Sequence, residues 1–225
     1  MIEVDASMTT DKVFYAFHNG EEPLELGIDR DIRTMSSEEV EKLFTLNSLR
    51  QGCGQKLGHF RGKCLINIDR SWFYWKEIIA LLDRMDMKDQ ILLKSGVEEE
   101  LLKELEESGT GIMYMPIMKS PEEWDIIQKY DINVAAAELI FTDLDSEFLS
   151  PEFMGRLKKA GIAPWVNAIT LNDEIILSGL LDDNNAIKIG FDETWGKLID
   201  MGFEIIQTDW PALLKGYISN KSNEK

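Results

Sequence analysis

Short apolar runs alternate along the chain with longer segments in which apolar residues recur at steps of three and four. The short runs predict β-strands, and the longer segments predict amphipathic helices. The predicted strands cover 2–7, 13–18, 63–69, 90–94, 112–117, 133–141, 164–169 and 203–207. The predicted helices cover 72–85, 97–108, 121–130, 151–160 and 192–201, and two more begin near Ser36 and Trp210. The second strand returns from the first through a short turn, which predicts a hairpin.

The regular alternation of strand and helix limits the fold class. Parallel βα units joined in this way form either an open, doubly wound sheet or a closed barrel. A Rossmann-type sheet carries a glycine-rich turn after its first strand, and this sequence has none there. Several predicted strands instead end in polar residues, such as Asp5, Asp69 and Asn167, and a barrel collects its strand ends around one site. The pattern therefore favours an α/β fold of the (β/α)8 barrel type.

We predict one domain over 1–225, because no linker or low-complexity stretch divides the chain. Residues 171–190 show neither strand nor helix periodicity, and they include the polar run Asp182-Asp183-Asn184-Asn185. The simpler interpretation of this segment is a solvated loop over the mouth of the barrel. The functional interpretation is an active-site lid that supplies a polar contact to the substrate.

The charge balance narrows the range of partners. The chain has 225 residues, with 41 Asp and Glu against 24 Lys and Arg, and a formal net charge of -17. Such a field repels nucleic acid, so we expect no nucleic-acid partner. A solvated surface explains most of the acidity, but a local cluster of carboxylates would also hold a divalent cation, and the cation would attract phosphate.

Cysteine usage and hydropathy add further exclusions. Cys53 and Cys64, with His59 between them, are too few for a disulfide scaffold or a zinc site. No apolar run is long enough for a membrane span, and no signal-peptide pattern follows Met1. We expect a cytoplasmic location for the chain as written, although a longer parent chain could carry a signal peptide.

The first hairpin carries the candidate chemistry. Glu3 and Asp5 lie two apart on a strand, so their side chains point to the same face, and Asp69 ends another strand. Three carboxylates are a suitable site for Mg²⁺ or Ca²⁺, whereas the simpler interpretation is a pair of solvated acids near the terminus. His18 ends the returning strand near Asp5 and suits general acid catalysis, or is a hydrogen-bonded structural residue. We interpret His59 as structural.

The order of several segments resembles one known family. The run IEVDASMTTDKVFYAFHN resembles the second motif of the glycerophosphodiester phosphodiesterases, in which a Glu-x-Asp pair precedes a Thr-x-Asp turn and a strand that ends in His-Asp. KCLINIDRSW, QILLKS, APWVNAI and GFEIIQTDWPALL resemble later strands of that family in the same order. The resemblance covers almost the whole chain.

This resemblance implies a (β/α)8 TIM barrel that uses a divalent metal, Mg²⁺ or Ca²⁺, to hydrolyse a glycerophosphodiester to glycerol phosphate and an alcohol. It also implies a role for each matching residue. The metal ligands would be Glu3, Asp5 and Asp69, the general acid would be His18, the phosphate contacts would be Lys94 and Arg70, and Trp165 would form a wall for the substrate.

The chain also departs from the family pattern. It begins at the Glu-x-Asp strand, so the family's first strand with its His-Arg motif is missing, and we expect seven of the eight barrel strands plus the hairpin. Unpaired edges would remain on either side of the gap and would favour self-association. His18 is followed by Asn19 rather than Asp, and Asp69 stands where the family has the Glu of Glu-x-Lys. Asn67 is the alternative oxygen ligand.

Three functions stay open at this point. The first is the metal-dependent hydrolysis described above, impaired by the missing strand and its histidine. The second is a catalytically inactive barrel that binds only a cation or a phosphate ligand. The third is a partial gene product without a function of its own.

Overall fold

The computed structural model describes residues 1–47, 57–172 and 174–223 of the chain. These residues form two compact units, Met1–Tyr114 and Met115–Lys225. The single domain that we predict over 1–225 stays a prediction. Cys53 lies outside the described residues.

The first unit contains four strands in the order β2, β1, β3, β4. Their bounds are Ile2–Met8 for β1, Phe14–Ala16 for β2, Ile66–Asp69 for β3 and Ile91–Gly96 for β4. β1 pairs antiparallel with β2 and parallel with β3, and β3 pairs parallel with β4. This arrangement confirms the predicted hairpin. The backbone of residues 14–17 forms hydrogen bonds with the outer edge of β1 from Asp5 to Met8. The unpaired backbone edge that we expected along this strand therefore does not include Asp5 to Met8.

Two helix ends of the first unit show recognisable capping chemistry. The helices of this unit are α1 (Glu22–Glu25), α2 (Ser37–Asn47), α3 (Trp75–Met85) and α4 (Glu99–Ser108). Before α2, the Ser36 hydroxyl accepts a hydrogen bond from the Glu39 N–H while the Glu39 carboxylate accepts one from the Ser36 N–H. α4 ends at Gly109, whose φ of +57° closes the helix without a side-chain clash. The predicted helix over 72–85 opens as a 3-10 turn, Ser71–Tyr74.

The second unit repeats the strand–helix alternation. Its strands are β5 (Met113–Met118, which starts at the boundary), β6 (Ala136–Leu139), β7 (Ala163–Asn167) and β8 (Ile205–Gln207), and each pairs in parallel with the next. Its helices are α5 (Glu123–Ile127), α6 (Pro151–Ala160), α7 (Asp183–Ile189), α8 (Lys197–Asp200) and α9 (Pro211–Asn223). Within the described ranges, no helix combines the length and the apolar character needed to cross a membrane.

Two helical segments of the second unit differ from the sequence interpretation. We expected a loop throughout 171–190, but its last part forms α7. The Asp182 carboxylate starts that helix by accepting a hydrogen bond from the Asn185 N–H at 2.9 Å. The polar run resembles a turn because the residues that favour turns are also those that cap helices. The helix expected over 192–201 begins with a π-helical segment, Asp192–Gly196, before α8.

Side-chain alternation along β3 separates the core from the candidate site. Ile66 and Ile68 point to one face of the sheet, and both are fully buried. Asn67 and Asp69 point to the opposite face, which they share with alternate residues of β1. The strand therefore presents an apolar face to the core and a polar face to the site.

Candidate functional site

Three carboxylates meet on one face of the paired strands β1 and β3. In the parallel register, Glu3 lies opposite Asn67, and Asp5 lies opposite Asp69. One oxygen from each of Glu3, Asp5 and Asp69 lies within 4.8 Å of the other two. The structure therefore brings together the three residues that the sequence interpretation grouped, and their oxygens are spaced closely enough to bind one cation.

Burial makes this arrangement of charges costly. The pKa of the Asp5 carboxyl is raised, first because the group is buried and then because the Asp69 carboxylate lies beside it. His18, Arg70 and Lys94 act in the opposite direction and lower that pKa. The site thus combines repelling carboxylates with cationic side chains that offset part of the repulsion.

Lys94 provides one of these cations from β4. Its Nζ lies 2.6 Å from Oδ2 of Asp69, and its side chain is 3% exposed. The register of β3 and β4 places the two residues side by side, since Ile68 pairs with Leu93 one position earlier on both strands. A buried ammonium requires such a partner, because an unpaired charge in the interior is strongly unfavourable.

Arg70 provides the second cation and connects several members of the site. Its φ of +56° is left-handed, which is rare for a residue with a side chain. Its N–H donates to Oδ1 of Asp69 at 2.6 Å, and its Nη1 donates to Oδ1 of Asn19 at 2.7 Å. Its Nε lies 3.5 Å from Oδ1 of Asp5, and its Nη2 contacts Nε2 of His18. The turn after β3 therefore directs the guanidinium between the acids and the histidine.

The contact with Arg70 engages one ring nitrogen of His18. A guanidinium only donates hydrogen bonds, so Nε2 of His18 is the acceptor in this contact. The His18 side chain is 39% exposed, and its Nδ1 lies 3.9 Å from Oε1 of Glu21. His59 is exposed and packs edge-on against Phe60.

Trp165, the predicted substrate wall, belongs to the second unit. It lies on β7 between Glu138 and Ile205 in register, and it is 3% exposed. Asn167, two residues further, donates a 3.3 Å hydrogen bond from Nδ2 to Oε1 of Glu138. A contact between Trp165 and a substrate stays a prediction.

One buried carboxylate of the second unit escaped the sequence interpretation. Asp183 accepts hydrogen bonds from Nε1 of Trp195, from the Thr208 hydroxyl at 2.7 Å and from the Asp209 N–H at 2.8 Å. Burial raises the pKa of Asp183 above its usual range. These partners lie far from Asp183 in the sequence, so no local pattern signals the interaction. It ties α7 to the segment after β8 within that unit.

Comparison with known proteins places the fold. A family model described as a domain of unknown function, DUF4996, matches residues 114–218. No curated protein matches the chain. A glycerophosphoryl diester phosphodiesterase from Parabacteroides distasonis superposes with a TM-score of 0.70 at 15% identity, over 97% of this chain and 75% of that one.

Two further solved structures agree. A glycerophosphodiester phosphodiesterase from Thermotoga maritima has a TM-score of 0.66 at 17% identity and covers 96% of this chain and 83% of its own. A phosphodiesterase from Oleispira antarctica, solved with its product sn-glycerol-3-phosphate, has a TM-score of 0.64 at 14% identity, over 96% and 84% of the two chains. The fold of this chain is therefore the α/β, TIM-barrel-like fold of these phosphodiesterases. The resemblance that the sequence motifs indicated is confirmed at the level of the fold.

Proposed function

We propose that the chain is a metal-dependent phosphodiesterase that hydrolyses a glycerophosphodiester to glycerol phosphate and an alcohol. The observation that carries the proposal is the cluster of Glu3, Asp5 and Asp69 on two paired strands, with their oxygens within 4.8 Å of one another. The likeness of the fold to phosphodiesterases supports it.

The charge of the cluster supports a divalent cation. The carboxylates of Glu3, Asp5 and Asp69 outnumber the guanidinium of Arg70 and the ammonium of Lys94 by one. A phosphodiester carries a single negative charge and would be repelled by this excess. A divalent cation reverses the sign of the site and makes it attractive to the substrate. Oxygen ligands suit Mg²⁺ and Ca²⁺, which are hard cations.

In the proposed reaction, Glu3, Asp5 and Asp69 would hold the cation, which would supply Lewis-acid polarisation of a phosphoryl oxygen and a counter-charge for the phosphate. Lys94 orients Asp69, because its ammonium lies 2.6 Å from that carboxylate. Lys94 and Arg70 contact the phosphate.

His18 acts as the general acid once its ring nitrogen is released. In the structure, Nε2 accepts the Arg70 guanidinium and carries no proton to donate. A phosphate oxygen competes for the same guanidinium, since Arg binds phosphate through two parallel hydrogen bonds. When Arg70 turns to the phosphate, Nε2 is free to take up a proton and to deliver it to the leaving alcohol.

The second candidate is a chain that binds a cation and a phosphate group without turnover. The same contact between Arg70 and His18 favours it, because a histidine that stays held by a guanidinium cannot transfer a proton from Nε2. The two candidates share the metal site and differ only in whether Nε2 is released.

Self-association through strand edges belongs to the same proposal. In the first unit, the hairpin covers the outer backbone edge of β1 over the residues Asp5 to Met8. The candidate contact is therefore the part of β1 that precedes Asp5. Unpaired strand edges are templates for pairing with a second chain. Sedimentation at rising concentration tests this, and a mass that stays that of one chain throughout contradicts it.

The test of the function follows glycerophosphocholine by phosphorus NMR. With Mg²⁺ or Ca²⁺, wild type should release glycerol phosphate, whereas Asp5→Asn should not, and Asp29→Asn, which changes an exposed carboxyl, should match wild type. Cation binding without product at any substrate concentration would select the second candidate.

A further inference from the structure

One buried amide lies within the candidate site without a hydrogen bond. Asn67 is fully buried, and neither its Oδ1 nor its Nδ2 has a hydrogen-bond partner among the described residues. Buried polar groups are nearly always satisfied, and one left unpaired lowers stability. An amide in this position therefore needs a physical reason.

The register of the strands shows what Asn67 faces. On one side it lies opposite Leu92 of β4, whose apolar side chain has no hydrogen-bonding atom. On the other side it lies opposite Glu3 of β1, and two positions further along its own face is Asp69. The amide is thus directed into the carboxylate cluster from the middle of β3.

The state of Asp69 adds an independent reason. Its Oδ1 already accepts the Arg70 N–H, and its Oδ2 already contacts the Lys94 ammonium. Each engaged oxygen has less capacity left for a cation. Oδ1 of Asn67 is a neutral oxygen without such a partner, and asparagine carbonyls are common ligands of hard divalent cations.

We infer that Oδ1 of Asn67 is a further protein ligand of the divalent cation, alongside Glu3, Asp5 and Asp69. The inference rests on the metal site of the proposed function. A neutral ligand completes the coordination without changing the charge balance that attracts a phosphodiester. It also explains why an otherwise unfavourable amide occupies a position where an apolar residue would pack.

This role predicts opposite effects on stability and on binding. Asn67→Leu has a similar volume and removes the unpaired amide, so the cation-free variant should melt at a higher temperature than wild type. The same variant lacks the ligand, so the dissociation constant for Mg²⁺ or Ca²⁺ should rise about tenfold or more. If Asn67 had only a packing role, its replacement would change the melting temperature and leave the dissociation constant for the cation unchanged.

The experiment measures melting temperature and calorimetric binding of each cation alone, in chelator-treated protein. The matched control is Ser178→Ala in the second unit, which removes a buried hydroxyl that also lacks a partner among the described residues. We expect that control to keep the wild-type dissociation constant. If wild type binds a cation and Asn67→Leu binds it equally well, the inference is overturned while the metal site stands. If wild type binds neither cation, the proposed metal site and the inference fall together.

A second measurement uses the wild-type chain and does not depend on the folding of Asn67→Leu. In protein labelled with ¹⁵N-asparagine, the side-chain amide of Asn67 is identified by its loss in Asn67→Asp. Titration with Mg²⁺ should shift that resonance in parallel with the calorimetric isotherm. A resonance that stays in place while the cation binds contradicts the inference.

Discussion

Asp5 and Asp69 lie directly opposite each other on the parallel strands β1 and β3. Burial and the neighbouring Asp69 charge both raise the pKa of Asp5, so the pair is unfavourable without a counter-charge. Within the first unit, Lys94 and Arg70 offset part of that repulsion. The remaining negative charge is the physical basis for the cation that we propose.

Replacing Asp5 should raise the stability of the cation-free chain and weaken the binding of the cation. Asp5→Asn removes one repelling charge, so the cation-free chain should melt at a higher temperature than wild type. Saturating Mg²⁺ or Ca²⁺ should stabilise wild type by about 2.7 kcal/mol at one hundred times the dissociation constant, and should leave the variant almost unchanged. Differential scanning calorimetry measures both. Asp29→Asn, at an exposed position, is the control, and equal melting temperatures of wild type with and without cation would refute the site.

The buried ion pair of Lys94 should matter far more than a surface pair. Lys94→Met leaves the Asp69 carboxylate without its ammonium, and removing one partner of a buried pair costs about 3–5 kcal/mol. Lys12→Met breaks the exposed pair with Glu77, which is 3.1 Å long, and should cost about 0–1 kcal/mol. Urea unfolding of both variants gives the comparison. If Lys94→Met and Lys12→Met lose similar amounts of unfolding free energy, the Asp69 carboxylate does not depend on the Lys94 ammonium for its stability.

Replacing Arg70 and replacing His18 should each lower the efficiency of hydrolysis. Arg70→Lys keeps the charge but loses the guanidinium fork, so kcat/KM should fall about 10- to 100-fold, which corresponds to about 1.5–3 kcal/mol for a hydrogen bond to a charged group. His18→Asn should lower kcat about 10²- to 10⁴-fold and leave KM nearly unchanged. Steady-state rates on glycerophosphocholine measure both. An unchanged kcat in His18→Asn would show that His18 is not the general acid.

Asp11 should make stability depend on pH at the acidic end. Hydrogen bonds, first from the Ser37 hydroxyl and then from that of Thr9, lower the pKa of Asp11 from 3.8 to about 2. A carboxyl with a lowered pKa stabilises the fold above its unfolded pKa, and the contribution disappears as the pH falls through the folded value. The melting temperature of Asp11→Asn should therefore lie below that of wild type above about pH 4, and the difference should vanish near pH 2. A difference that is the same at every pH would contradict the assignment, and Asp145→Asn serves as the exposed control.

Local patterns predicted most of the fold correctly. The alternation in β1 and the aromatic run of β2 predicted the hairpin, because strand periodicity and turn chemistry act over a few residues. α7 was wrongly expected as loop, since its seven residues show too little periodicity to distinguish a capped helix from a turn.

The site was predictable in its composition but not in its contacts. The spacing of Glu3 and Asp5 gave their common face, whereas the contact between Lys94 and Asp69 depends on the register of two strands. The left-handed turn at Arg70 has no signal in the sequence, because that conformation is typical of glycine, asparagine or aspartate. The contact between Arg70 and Nε2 of His18 follows from that turn and could not be predicted without it.

The most direct test of metal-dependent hydrolysis is the initial rate of glycerophosphocholine cleavage as a function of Mg²⁺ or Ca²⁺ concentration, starting from chelator-treated protein. The proposed function predicts no rate without cation and a rate that saturates at the dissociation constant found by calorimetry. Glu3→Gln should shift the rate and the binding curve to higher cation concentration together, because both depend on the same carboxylates. A rate that persists in excess chelator, or the absence of any product at saturating cation, would contradict the proposed function.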